Sequence, residues 1–513
     1  MNMAHGDSMR AASIHILDDD SLLNVFYLYR PLLLGEDEDD ETRLMGGRGW
    51  ARGRWWYTPA QVCQRWRNVV FGSASYLGLS LICANGTPVA HMLAHSPPLP
   101  LVIDYYPDED DDITEEDEEG AILALKQYDR VRRVRLGMPV TSLQKFIVAM
   151  DDEYPVMEYL IIAHAIDDES TILTLPETLQ APHLRHILLV GVAFPIGSRL
   201  LTTPVGLVTL CLGMVNPSTY FHPSTLLQWL SFMPQLETLF ISFYFPDRNR
   251  RVEEQRTHTA TTIPVTLPNL LVFGFKGVTS YLETLLYRIS APRLVKLGLS
   301  FFNQLTFSIP RLLHFVDTTE NLRFQSAKFE FSDENLDVEV YPHEEAEMYA
   351  LSFTINCCHL DWQVSSAAQI FKELSPMFSA VEHLTFEHME HSRSSEEHNE
   401  VDLTEWHKLL SSFRNVKTLR IAKGLVEELS RCLKFDDGEL PLELLPELQE
   451  LTYFGSGNSG DVFTSFSDAR QDMGRPLTLI RRSPSPDPSS RTSSPEPSSI
   501  IPTSGEAGSD VDA

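Results

Sequence analysis

Cysteine, positive charge and long apolar runs are all scarce in this sequence of 513 residues. Its six cysteines are scattered and include no Cys-x-x-Cys pair, so neither a disulfide framework nor a zinc site of paired cysteines is indicated. The 41 Lys and Arg residues against 71 Asp and Glu give a formal net charge of −30, which disfavours binding to nucleic acid or to an anionic membrane. No signal peptide and no apolar run of about 18 residues occurs, so we expect an intracellular protein of the cytoplasm, the nucleus or both.

Motifs of catalysis are lacking as well. The sequence has no Gly-x-Ser-x-Gly elbow, no glycine-rich loop followed by a phosphate-binding lysine, and no His-Glu-x-x-His zinc motif. Four histidines (His383, His388, His391 and His398) stand close together among glutamates, but a solvated loop is the favoured interpretation because no cysteine partner accompanies them. We therefore predict a protein without enzyme activity, cofactor or metal.

A recurring apolar frame, Leu-x-x-Leu-x-Leu, dominates the sequence that is present. The last two apolar residues of such a frame point to one face of a strand, and the first closes the turn that enters it. One unit cannot bury that face alone, so units stack into a continuous core. The frame recurs at 131–136, 157–162, 184–189, 207–212, 236–241, 270–275, 294–299, 322–324, 381–386, 416–421 and 448–453.

Helix-like stretches separate these frames, for example at 143–150, 226–230 and 406–410. Strands that alternate with helices predict an α/β repeat, in which an irregular leucine-rich repeat solenoid carries a parallel sheet on its concave side. Concave strand residues are the expected binding surface for an unknown protein partner.

The N-terminal segment has a different pattern. Apolar residues at 14–34 follow an acidic start, in which Asp18 to Ser21 can cap a helix. An acidic and glycine-rich insertion spans 35–54, and a second helix is predicted from Pro59 to Phe71. We therefore expect a helical module that precedes the repeats.

This pattern resembles the two halves of an F-box. The similar residues are Leu17, Leu22, Leu23, Phe26, Val62, Cys63 and Trp66. Resemblance to an F-box implies that these residues dock on a Skp-family adaptor of a cullin-RING (SCF-type) ubiquitin ligase, and that the tryptophan packs the module against the next part of the chain. Asp18 occupies the position where an F-box usually has proline, and the insertion separates the halves widely. The alternative is that the helices only cap the solenoid of a scaffold protein outside any ligase.

A longer stretch is similar to an expanded family of F-box-like leucine-rich repeat proteins in mushroom-forming (basidiomycete) fungi. The similarity runs from about residue 14 to about residue 480. It is strongest at 54–57, 62–67, 72–77, 86–89 and 93–101. Membership would imply a substrate receptor of the ligase, with the repeats binding a protein substrate.

These observations predict the organisation of the chain. We expect a disordered N-terminus, an F-box-like helical module, a solenoid that contains an acidic loop, and a disordered tail rich in Ser and Pro. Their predicted bounds are 1–13 for the N-terminus, 14–76 for the module, 77–480 for the solenoid, 104–119 for the acidic loop and 481–513 for the tail.

Two further sets of residues have a candidate role. Arginines alternate with apolar residues on one predicted strand, where they either neutralise the preceding acidic loop or dock an acidic degron of the substrate. These arginines are Arg130, Arg132, Arg133 and Arg135. In the tail, Ser483, Ser485 and Ser494 each precede a proline and are candidate sites for a proline-directed kinase.

Overall fold

The structure is a computed structural model. It describes residues 17–29, 55–106, 113–164, 172–195, 197–216, 219–244, 264–302, 308–388, 402–434, 444–454 and 462–482. The predicted disordered N-terminus and the predicted insertion at 35–54 lie outside these residues.

One 16-stranded sheet organises the described residues, in the order β1-β2-β3-β4-β6-β8-β9-β11-β13-β16-β15-β14-β17-β18-β19-β20. Every neighbouring pair is parallel except the two pairs that include β15. Two smaller sheets pair β5 with β7 and β10 with β12. The strands are β1 Leu81–Ala84, β2 Leu101–Tyr105, β3 Val131–Gly137, β4 Tyr159–Ala163, β5 Leu173–Thr174, β6 His186–Val190, β7 Val192–Ala193, β8 Thr209–Val215, β9 Thr238–Phe243, β10 Val265–Thr266, β11 Val272–Gly277, β12 Ile289–Ser290, β13 Lys296–Phe301, β14 Ser326–Phe331, β15 Asn335–Tyr341, β16 Leu351–Asn356, β17 His383–His388, β18 Thr418–Ile421, β19 Glu450–Phe454 and β20 Thr478–Arg482.

Helices connect many of these strands, and several of them pack against one another in chain order. Their bounds are α1 Asp19–Tyr29, α2 Tyr57–Val62, α3 Gln64–Gly72, α4 Ala74–Leu77, α5 Val89–His95, α6 Glu115–Leu125, α7 Val140–Ala149, α8 Pro223–Leu230, α9 Thr279–Leu286, α10 Pro310–Asp317, α11 Leu360–Phe378, α12 Leu403–Leu410, α13 Val426–Cys432 and α14 Thr464–Asp472. The predicted helical stretches at 143–150, 226–230 and 406–410 coincide with α7, α8 and α12.

The apolar frames form two ladders that run across the sheet. Leu160 is in register with Ile187, and the same row continues through Leu210, Leu239, Phe273 and Leu297. A second row, two residues further along each strand, holds Ile162, Leu189, Leu212, Ile241, Phe275 and Leu299. All of these side chains are buried in one core. Burial of each side chain contributes on the order of 1.5–3 kcal/mol to stability. The register of these rows across neighbouring parallel strands confirms the predicted α/β repeat with a long parallel sheet.

A three-strand meander interrupts the repeat. The chain forms β14, turns back through the antiparallel β15, and fills the gap beside β13 with β16. The strand predicted at 322–324 is wrong, because Leu322 and Phe324 lie just before β14. Phe324 instead closes the turn, and Ala327 and Phe329 take the two core positions of the frame.

The N-terminal module consists of α1 to α4. The single helix predicted from Pro59 to Phe71 is wrong, because the backbone at Cys63 is extended (φ −159°, ψ 169°) and separates α2 from α3. Cys63 therefore serves as the residue that precedes α3, while Pro59 lies inside α2.

The predicted bounds of two irregular segments are also wrong. The acidic loop was predicted at 104–119, but Asp104 and Tyr105 belong to β2, and Glu115 begins α6. A loop can therefore span at most residues 106–114, of which 107–112 lie outside the described part of the chain. Thr114 and Asp117 form a reciprocal capping box, which is why the acidic run starts a helix. At the C-terminus, Arg481 and Arg482 pair with β19 in β20, so the predicted tail can begin no earlier than residue 483.

Candidate functional site

The N-terminal module buries two of the predicted docking residues in its own core. Leu22 has no exposed surface and Phe26 is 2% exposed. Phe26 also contacts the ring of Trp66 edge-on, with 5.0 Å between ring centroids. Leu23 packs half-buried against the same core. In this arrangement Leu22 and Phe26 hold the module together, because their side chains pack into its core and expose almost no surface.

The exposed apolar residues of the module are mostly different ones. Leu17 and Val62 are exposed as a docking role requires, and Val62 is 57% exposed. Exposed apolar residues on α1 include Val25, Leu28 and Tyr29, and Leu28 reaches 82% exposure. Val25, Leu28 and Tyr29 are spaced i, i+3 and i+4 and therefore share one side of the helix. We call Val25, Leu28, Tyr29 and Val62 the module surface.

Polar contacts fix the position of α1 against α3. Arg65 donates to Asp19 from Nε (2.9 Å) and to the Leu17 carbonyl from Nη2 (2.6 Å). Asp18 caps the helix, because its Oδ1 accepts from the Ser21 backbone at 2.7 Å. A groove of about 570 Å³, lined by Asp19, Asp20, Leu23, Gln64, Arg65, Asn68, Val69, Gly72 and Ser73, lies between the two helices. The predicted capping of α1 is thus confirmed.

Trp56 joins the module to the sheet. Its indole is 3% exposed and donates to the Ser80 carbonyl, just before β1, at 3.2 Å. The ring also stacks on Tyr57, with 4.1 Å between centroids. The role of packing the module against the rest of the chain therefore belongs to Trp56, whereas Trp66 contacts Phe26.

The four arginines around β3 all have partners within the protein. Arg130 donates to the Leu99 carbonyl, and Arg132 pairs with Glu158 at 2.9 Å. The remaining two lie over tyrosine rings: Arg133 is 4.3 Å from the ring centroid of Tyr159, and Arg135 is 4.3 Å from that of Tyr106. Arg135 also pairs with Asp104 at 3.6 Å. These contacts favour neutralisation within the chain over a free patch for a degron.

Burial on this side of the sheet shifts two pKa values in opposite directions. Desolvation raises the pKa of Asp104 to about 6, although Arg135 opposes the shift. Desolvation, Arg185 and Arg133 lower the pKa of His186 to about 4, against the weaker effect of Glu158. His186 also stacks on Tyr159, with 4.3 Å between centroids.

We use the term non-core face for the side of the sheet that points away from the two core ladders. One row of this face runs in register through Asp104, Arg135, Ile161, Leu188, Cys211, Phe240, Gly274, Gly298, Ser352, Glu339, Lys328, Thr385 and Arg420. Ile161, Leu188 and Cys211 form a small buried apolar cluster of their own. Beyond this cluster most residues of the row are at least partly accessible, beginning with Phe240, which is 38% exposed, although Gly274 is buried.

Glycines widen the middle of this face. The Phe240 ring occupies the space over Gly274, where an added Cβ would come within 2.3 Å of the ring. At Gly298, by contrast, an added Cβ would meet only Ser352 Oγ, at 3.4 Å. Gly298 thus has space for an added Cβ, on the strand next to the Gly274 that the Phe240 ring covers.

Carboxylates gather on the meander next to this gap. Asp337 accepts from Thr354 Oγ1 at 2.6 Å, and Glu339 accepts from the Tyr341 hydroxyl. Lys328 pairs with Glu330 at 3.1 Å and with Glu387 at 3.0 Å. Desolvation and repulsion by Glu330 and Glu339 raise the pKa of Asp337 even though Thr354 donates to it. The meander has no leucine-rich frame in its sequence, so this group of carboxylates was not predicted.

Several predicted features have no site in the described structure. Ser483, Ser485 and Ser494 lie outside the described residues, as do His391 and His398. His383 and His388 are the two ends of β17, which contradicts the solvated loop that was predicted for them. No group of three or more His, Cys, Asp or Glu side chains within the described ranges could hold a metal ion. In the same ranges, no helix is long and apolar enough to cross a membrane.

The register and the burial describe an α/β repeat protein with two accessible surfaces. No family model and no curated protein matches this chain. Among solved structures, the chain is similar to the leucine-rich repeat-containing protein LegL7 from Legionella pneumophila. The sequence identity is 9%, the match covers 79% of this chain and 91% of that chain, and the TM-score is 0.23. A TM-score this low supports no shared fold, so the repeat architecture depends on the strand register.

Proposed function

We propose that this chain is a non-catalytic substrate receptor of a cullin-RING (SCF-type) ubiquitin ligase. The observation that carries the proposal is the exposed module surface, which lies on a small helical module directly ahead of a repeat sheet. Leu28 and Val62 expose apolar area that nothing in the described part of the chain covers, and such area on a polar surface is typical of a protein interface. The F-box-like pattern of residues 17–26 and 62–66 supports a Skp-family adaptor as its partner.

The proposed mechanism is proximity. The module surface binds the adaptor, and through it the cullin-RING scaffold, while the repeat sheet binds a protein substrate. Holding both together raises the effective concentration of the ubiquitin-loaded enzyme at the lysines of the substrate. No reacting group of the receptor takes part, so enzyme activity, a cofactor, nucleic acid and a membrane have no role in the proposal.

A second candidate is a scaffold outside any ligase, whose N-terminal helices only cap the solenoid. The specific observation in its favour is the burial of Leu22 and Phe26, which a simple cap also needs. Trp56 seals the start of the sheet through its bond to Ser80, as a cap would. The two candidates differ in one property, which is binding to a Skp-family adaptor.

The test is a pull-down of purified adaptor with the full-length chain and with the double variant Leu28→Asp/Val62→Asp. Both residues are exposed, so the variant should keep its fold, and we expect adaptor binding to fall at least tenfold because charge replaces buried apolar area at the interface. The matched control is Val148→Asp/Val205→Asp, which places the same charges on residues that are 65% and 67% exposed elsewhere.

Adaptor binding that survives Leu28→Asp/Val62→Asp would show that the module surface is not the docking site. A folded wild-type chain that does not bind the adaptor would refute the ligase proposal and leave the scaffold. Aspartate at Leu22 or Phe26 would not test docking, because either change places a charge in the core of the module.

A further inference from the structure

The non-core face between β9 and β14 combines an apolar gap with carboxylates that lack a counterion. On one side of Gly298 lies Gly274, its partner in register, which the Phe240 ring covers, and on the other side lies Ser352. Glu339 follows Ser352 on the next strand, and Asp337 stands two residues away from Glu339. The apolar and acidic parts therefore lie within about two inter-strand spacings, on the order of 10 Å.

The carboxylates of β15 are bound by hydroxyl groups rather than by cations. Asp337 accepts from Thr354, Glu339 accepts from Tyr341, and neither forms an ion pair with a described residue. Lys328 is the nearest cation, but it is shared between Glu330 and Glu387. Four carboxylates thus face one lysine on three neighbouring strands. The pKa of Asp337 is raised mainly by desolvation, and repulsion by Glu330 and Glu339 adds to the shift.

Other cations on this face are held elsewhere. Lys296 packs over the ring of Tyr349, with 4.4 Å from its Nζ to the ring centroid. Lys276 is in register with Ser300, three strands from Asp337 in the order of the sheet. Three inter-strand spacings are about 14 Å, which exceeds the Debye length of about 8 Å at physiological salt. The negative potential over β15 is therefore left for a partner to neutralise.

We propose that this face binds an extended basic segment of a protein partner, with an apolar side chain in the gap at Gly298 and arginine or lysine side chains at Asp337 and Glu339. Charge complementarity selects the cationic side chains, because charge-assisted bonds to carboxylates are stronger than those from hydroxyls. Phe240 supplies an apolar wall and an aromatic face for a cation. This inference depends on the proposed function only in taking the substrate to be a protein.

The test measures binding of the full-length chain to a peptide with one leucine and two arginines, Gly-Leu-Gly-Arg-Gly-Arg, that carries an uncharged fluorophore. Anisotropy is read at 150 mM salt, which screens weak contacts with the acidic surface as a whole. We expect saturable binding of this peptide and at least tenfold weaker binding of the same peptide with glutamate in place of arginine.

Two variants separate a specific site from general acidity. Glu339→Gln/Asp337→Asn should weaken binding at least tenfold, while Glu320→Gln/Glu373→Gln, with the same loss of charge at exposed helix-side positions, should change it less than twofold. Gly298→Leu fills the gap without any change of charge and should also weaken binding at least tenfold. Thermal unfolding of each variant confirms that it is folded.

Three outcomes would overturn the inference: no binding at millimolar peptide, equal weakening by the two charge-matched variants, or unchanged affinity in folded Gly298→Leu. The adaptor pull-down uses changes on α1 and α2 alone, so failure of the ligase proposal and failure of this one are distinguishable.

Discussion

Replacing Asp104 with asparagine should change how the stability of this protein depends on pH. The carboxyl of Asp104 lies on the non-core face with its side chain 12% exposed, 3.6 Å from Arg135. Burial nevertheless dominates and raises its pKa from 3.8 to about 6. The folded state therefore holds this proton more tightly than the unfolded chain does.

The sign and size of the effect come from linkage. An acid with a raised pKa in the folded state contributes stability below its unfolded pKa, near 4, and that stability is lost as the pH rises through 6. A shift of about two pH units corresponds to about 3 kcal/mol. The low exposure of Asp104 means that solvent screens little of this amount.

His186 should oppose this trend in the wild-type protein. Its pKa is lowered to about 4 from 6.5, so its contribution to stability is present above pH 6.5 and is lost as the pH falls towards 4. The two slopes have opposite signs over the same window. We therefore expect the pair to contribute little net pH dependence in the wild type and a clear slope when one member is removed.

The assay is urea unfolding of wild type, Asp104→Asn and His186→Gln at pH 4, 5, 6 and 7. The unfolding free energy of Asp104→Asn minus that of wild type should rise by up to about 3 kcal/mol from pH 4 to pH 6. The wild type loses the contribution of the protonated acid over this range, whereas the variant has no such contribution to lose. His186→Gln should show the opposite trend. A difference between Asp104→Asn and wild type that stays constant across this range would refute the assignment of a raised pKa to Asp104.

Two further predictions concern packing. Leu22→Ala should lower the unfolding free energy by about 2–5 kcal/mol because it opens a cavity in the core. Leu28→Ala, at a residue that is 82% exposed, should change it by less than about 0.5 kcal/mol. Calorimetry that finds equal losses for the two variants would contradict the observed burial. Gly274→Ala should lower the unfolding free energy by about 1–3 kcal/mol because the Phe240 ring fills the space over Gly274. Most of that loss should vanish when Phe240 is also replaced with alanine. Additive effects of the two changes in urea unfolding would show that the ring is not the obstacle.

The strands of the repeat were predictable because the frame records burial directly. In ten of the eleven frames, the last two apolar residues fall on a strand of the large sheet, as at Leu160 and Ile162. The eleventh failed because alanine occupies a core position: Phe324, Ala327 and Phe329 keep the spacing of the frame, but Ala327 hides it. Buried and accessible residues also alternate regularly along β15. This antiparallel strand has no turn-closing leucine before it, so its sequence does not show the Leu-x-x-Leu-x-Leu frame.

The docking residues were harder to predict, since α1 carries apolar residues on two sides. Leu22 and Phe26 are four residues apart, and so are Val25 and Tyr29. Periodicity alone identifies both stripes but does not say which one is buried, because that depends on what α3 places against the helix. The structure resolves the choice through Trp66, which contacts Phe26 and leaves Leu28 outside.

The two proposed surfaces lie far enough apart to be occupied together. Eight inter-strand spacings separate β1, where Trp56 anchors the module, from β13, where Gly298 lies. At about 4.8 Å each, they amount to about 38 Å along the sheet. An extended peptide would need more than ten residues to cover that path, so a short basic segment at Gly298 leaves the module surface free. A ligase receptor requires that both surfaces are occupied at the same time, whereas a simple scaffold does not. Because the two surfaces are separated, we expect that a partner bound at one surface leaves the affinity at the other unchanged.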